Sequence, residues 1–65
     1  MKASYDAVTD ALYLRLADAP VAESEEVRPG IVLDFDAAGR LVAIEVLDAK
    51  EHLASGSEWA KLTAA

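Results

Sequence analysis

Residues 31–47, IVLDFDAAGRLVAIEVL, set two apolar stretches on either side of Asp36, Ala37, Ala38 and Gly39. Gly39 stands where a hairpin loop built on a type I turn ends in a residue of positive φ. That geometry predicts a hairpin pairing Asp36 with Arg40, Phe35 with Leu41, Asp34 with Val42, Leu33 with Ala43, Val32 with Ile44 and Ile31 with Glu45. One face then carries Phe35, Leu41, Leu33, Ala43 and Ile31, and the other carries Val42, Val32, Ile44 and Val46. Both faces are largely apolar, so the hairpin needs cover on two sides.

The chain has only 65 residues to supply that cover. It is one domain over residues 1–65, and a domain of this size buries only about 60% of the surface its unfolded chain exposes. With no cysteine and one histidine, neither a disulfide nor a thiolate zinc site can staple it, and no cofactor is expected. A content of 54% hydrophobic residues is high for so short a chain. Self-association or a partner is the remaining way to complete the core, so a homo-oligomer is expected.

Twelve acids against six bases leave a formal net charge of −6, and the bases are scattered. Direct nucleic-acid binding requires a basic footprint and is not expected. A basic protein partner is the natural electrostatic match. No run of apolar residues reaches the length of a membrane span, and residues 1–10 lack the apolar segment of a secretory leader, so a cytoplasmic protein without membrane contact is expected.

The rest of the chain reads as a second hairpin, an edge and a helical tail. Leu12, Leu14 and Leu16 alternate with Tyr13 and Arg15, the period of a half-buried strand. With a loop at Ala7–Asp10, Tyr5 faces Leu12 and Ala3 faces Leu14. Between Pro20 and Pro29, Glu23, Glu25 and Glu26 mark at most a solvated edge strand, where charge discourages aggregation. Residues 48–54, DAKEHLA, and 57–65, SEWAKLTAA, have helical character; Ser55 with Glu58 fits a capping box, and Ser57 is an equally fair N-cap. The expected fold class is α+β, a small antiparallel sheet of two hairpins in a meander, packed with a short C-terminal helix and completed by oligomerisation.

Five carboxylates are candidates for chemistry: Asp6, Asp10, Asp34, Asp36 and Glu45. Asp6 and Asp36 sit where a side chain accepts turn amides, so with Gly39 they read as turn-forming residues. Asp34 and Glu45 interrupt apolar rows and each needs a partner: Arg15 or Arg28, an amide, or water at the rim. They are the candidate metal or ligand residues. His52, four residues after Asp48, reads as half of an exposed helical pair. No serine lies in a nucleophile motif and no glycine-rich loop is present, so no catalytic residue is assigned. Val32, Val42, Ile44, Val46 and Trp59 are the candidate interface residues.

The segments YDAVTDALYLRL, ESEEVRPG and IVLDFDAAGRLVAIEVLDA together resemble the small bacterial domain-of-unknown-function family 2283 (DUF2283), over about residues 4–53. The segment 55–65 is then a C-terminal helical extension. In that family the strand after the turn reads Gly-Ile-Glu-Ile-Leu, and here Ala43 stands in the glycine's place. The resemblance implies a compact antiparallel sheet with a short helix and no established activity. It also implies an antitoxin-like role, since some members look as though they are encoded beside toxin-like proteins. The function expected is a non-enzymatic protein-protein interaction module, homo-oligomeric or bound to a basic partner. The alternative is a small metal- or ligand-binding module at Asp34 and Glu45.

Overall fold

The structure, a computed structural model, describes residues 1–59 and 61. Five strands, β1 (Lys2–Asp6), β2 (Ala11–Arg15), β3 (Glu23–Arg28), β4 (Ile31–Phe35) and β5 (Leu41–Val46), precede one short helix, α1 (Ala49–His52). They form a single antiparallel sheet in the order β1-β2-β5-β4-β3. The first hairpin has the expected register, with Tyr5 opposite Leu12 and Ala3 opposite Leu14. The acidic segment is indeed an edge strand, exposed along its whole length.

The expected two-hairpin meander is corrected in its connectivity. β3, β4 and β5 form a three-strand meander, and a crossover over residues 16–22 carries the chain from β2 past β5 and β4 to the far edge. β5, the last strand, thus lies beside β2, a Greek-key order. Pro29 and Gly30 make the β3–β4 turn, with Gly30 at φ 85°.

The turn between β4 and β5 forms as expected: Asp36 N donates to Arg40 O (2.9 Å), Gly39 N donates to Asp36 O (3.0 Å), and Gly39 has φ 80°. Beyond it the register differs from the expected one. Phe35 faces Leu41, but Asp34 faces Ala43, Leu33 faces Ile44, Val32 faces Glu45 and Ile31 faces Val46. Val42 is an extra residue, a β-bulge, and it moves the rest of the strand by one place. Its carbonyl accepts the Leu16 and Ala17 amides at 2.8 and 3.2 Å, which carries the β2–β5 pairing on into the start of the crossover.

The bulge re-sorts the faces. Alternation now puts Tyr5, Leu12, Leu14, Ile44, Val46, Ile31 and Leu33 on one face. Leu12, Val46 and Ala49 are the centre of the core, with Tyr5, Leu14, Ile44, Leu53 and Trp59 packed around them. Val32 lies on the opposite face, so the expected apolar group of Val32, Val42, Ile44 and Val46 does not exist as one surface. Val42 is 1% and Val46 6% exposed, both buried within the single chain. Trp59, expected as an oligomer contact, packs against Tyr5 with ring centroids 4.5 Å apart.

Helix α1 is seated by a residue far away in sequence. Its N-cap position, Asp48, makes no side-chain cap. Asp10, in the first hairpin loop at φ 54°, accepts the Ala49 amide on its carbonyl (2.9 Å) and the Lys50 amide on its carboxylate (3.1 Å). The same carboxylate accepts the Tyr5 hydroxyl at 2.6 Å, which holds its pKa below the ordinary value and raises that of Tyr5. Of the expected helical extension, residues 55–56 form a turn; Ala60 and residues 62–65 lie outside the described residues.

Candidate functional site

The polar face of the sheet is built of two rows that cross all five strands. One runs Ser24, Asp34, Ala43, Arg15 and Lys2; the other runs Glu26, Val32, Glu45, Tyr13 and Ser4. Asp34 and Glu45 fall on neighbouring strands in adjacent rows, a diagonal within reach of two carboxyl groups. The bulge at Val42 is what brings them to one face. In the expected register Asp34 stood opposite Val42 and Glu45 opposite Ile31.

Asp34 is 3% exposed, the one buried charged residue among those described. In the same row Arg15 donates from Nη2 to Ala19 O (2.7 Å), which ties the crossover to this face of the sheet. Neither Arg15 nor Arg28 supplies the expected ion pair: among the described residues the one ion pair is Lys61 with Glu58, at 3.1 Å on the surface. Arg15 turns its other amino group to the Tyr13 hydroxyl (3.1 Å). Asp34 instead accepts the Ser24 hydroxyl on Oδ1 at 2.5 Å.

A hydrogen bond to Asp34 raises the pKa of Glu45 above its ordinary 4.5, and burial and repulsion between the two carboxyls act in the same direction. The raised pKa makes Glu45 easier to protonate than an ordinary glutamate, in a row where its immediate neighbours are the apolar Val32 and the hydroxyl-bearing Tyr13. Among the described residues no third His, Cys, Asp or Glu joins Asp34 and Glu45 to complete a metal-binding group.

The turn residues stand where they were read. Asp6 Oδ1 accepts the Val8 amide at 2.9 Å, and Asp36 Oδ1 accepts the amides of Ala38 and Arg40, each at 2.9 Å. His52 does not pair with Asp48 through its side chain. Its Nδ1–H donates to Leu47 O at 2.7 Å, and the ring lies against Gly30. The sequence does not single out Ser24, and marks Asp10 only as one of five candidate carboxylates, because each acts on a group that is distant along the chain.

The apolar face is unevenly covered. The α1 segment packs over β1, β2 and β5, whereas Ile31, Leu33 and Phe35 of β4 stay half-buried outside that core cluster, and Leu41 is exposed. Glu23 and Glu25 of β3 stand opposite Phe35 and Leu33 on this face. The result is an apolar strip bordered by an acidic, open sheet edge.

No helix among the described residues is long and apolar enough to cross a membrane. No curated protein and no solved structure matches the chain. One family matches residues 2–50, most of the chain, and takes in all five strands and the start of α1. The chain belongs to that family, described as protein of unknown function (DUF2283).

Proposed function

We propose that this chain is a non-enzymatic interaction module that docks a basic protein partner on the β3–β4 side of its sheet. The observation that carries the reading is the half-buried strip of Ile31, Leu33 and Phe35 beside a fully exposed β3 with Glu23 and Glu25 on the same face. An apolar centre with a charged rim is the anatomy of a protein interface. The acidic rim attracts a basic surface, steers it and fixes its register. The same acids, on a chain of net charge −6, oppose edge-to-edge pairing with a second copy. An antitoxin-like role fits this chemistry, because the partner would present a basic surface.

The test is recovery of the tagged protein from its native cell extract, with the eluted complex sized by light scattering. Wild type should bring down a stoichiometric basic protein, and Glu23→Lys with Glu25→Lys should release it without changing the circular dichroism of the chain. A monomer with no partner, or a homo-oligomer indifferent to both charge reversals, would contradict the reading.

Metal or ligand binding at Asp34 and Glu45 is the second reading, supported by the burial of Asp34 beside a second carboxyl. A native-state site would raise the melting temperature with calcium, magnesium, manganese or zinc by mass action. No shift at millimolar metal would remove it.

A further inference from the structure

We propose that the cavity between the β1 edge and the start of the crossover binds a small oxyanion, a carboxylate or a phosphate. This cavity, of ≈ 280 Å³, is lined by Met1, Lys2, Arg15, Leu16, Ala17 and Asp18. It lies at the opposite edge of the sheet from β3 and is independent of partner docking there.

Two like charges stand side by side at this edge of the sheet. Lys2 and Arg15 are directly opposite in the β1–β2 register, so their side chains leave the same face as cross-strand neighbours. Such a pair repels and destabilises the hairpin unless something negative lies between the two. In a chain with twelve acids the expected remedy is a carboxylate. Yet among the described residues neither Lys2 nor Arg15 forms an ion pair, and Asp18, though it lines the same cavity, does not reach either one.

Arg15 is held in place without being neutralised. Its Nη1 donates to the Tyr13 hydroxyl (3.1 Å) and its Nη2 to Ala19 O (2.7 Å), both uncharged acceptors. A half-buried guanidinium fixed by neutral groups still has N–H donors and its full charge for a planar or tetrahedral oxyanion. Lys2, exposed at the strand edge, adds a mobile ammonium that can close on the same anion. Leu16, an exposed apolar residue, and Ala17 also line the cavity and suit a short hydrocarbon group attached to the anion. Asp18 in the lining opposes a highly charged head.

The experiment is an NMR titration of the isotopically labelled full chain with sodium phosphate and, separately, sodium isobutyrate, at ionic strength held constant with sodium chloride. Saturable shifts are expected at Lys2, the Arg15 Nε–H and the Leu16–Asp18 amides. Lys2→Gln, an exposed substitution whose fold the same spectrum verifies, should weaken binding about fivefold, the loss of one partly screened charge contact. Saturation by phosphate alone, or by isobutyrate alone, supports the proposal and names the head group. Shifts that grow linearly and scatter over the surface with both salts, or saturable shifts unchanged by Lys2→Gln, would overturn it.

Discussion

Gly30 and Gly39 have almost the same backbone angle, φ 85° and 80°, but different surroundings, and substituting each by alanine separates conformational strain from contact. A left-handed alanine costs about 1–2 kcal/mol at either position. At Gly39 nothing lies within 4 Å of an added Cβ, so that is the whole cost. At Gly30 the Cβ would stand 2.6 Å from His52 Cε1 and 3.3 Å from Leu47 O. The His52 ring must leave, and its 2.7 Å bond to Leu47 O goes with it. An exposed hydrogen bond is worth about 0.5–1.5 kcal/mol, so Gly30→Ala should cost about 1.5–3.5 kcal/mol against about 1–2 for Gly39→Ala. The assay is urea unfolding followed by Trp59 fluorescence, in a cycle with His52→Ala. In the His52→Ala background the Gly30 cost should fall by about 0.5–1.5 kcal/mol, the coupling between the two residues. Equal costs for the two glycines, or no coupling to His52, would refute the seating of α1 against the β3–β4 turn.

Three further outcomes follow from the same geometry. Glu45 has a raised pKa, so its contribution to stability is fully present below its ordinary value of 4.5 and is lost as pH rises through the raised value; Glu45→Gln should flatten that arm of the urea midpoint between acid and neutral pH. Val42→Ala should cost about 2 kcal/mol, because the side chain is fully buried, and Val32→Ala distinctly less; the expected unbulged register would have made the two costs similar. Asp36→Ala, which removes the acceptor for two loop amides, should cost about 1 kcal/mol in the same assay, with little dependence on the far edge of the sheet.

How far residues alone lead depends on whether their partners are near in sequence. The β1–β2 register is legible because Tyr5, Leu12 and Leu14 alternate cleanly with polar neighbours around a short loop. The β4–β5 turn is legible for the same local reason, through Asp36 and Gly39. The bulge is not, because Leu41, Val42, Ala43 and Ile44 are all apolar, and a run without alternation carries no information about its frame. That one residue decides whether Asp34 and Glu45 meet. The acidic β3 announces itself as an edge, but not as the edge farthest from β1, since strand order is settled by the crossover and its hold on Val42 O. Ser24 and Asp10 illustrate the same point: a serine among glutamates and an aspartate in a loop show their partners, Asp34 and Lys50, only in three dimensions.

Docking on the β3–β4 half of the sheet is checked most directly by hydrogen exchange of the free chain compared with the complex recovered from native extract. The β3 amides that face away from β4, open in the free chain, should become strongly protected in the complex while those of Lys2–Asp6 do not change. Protection confined to Lys2–Asp6, or none on β3, would contradict it.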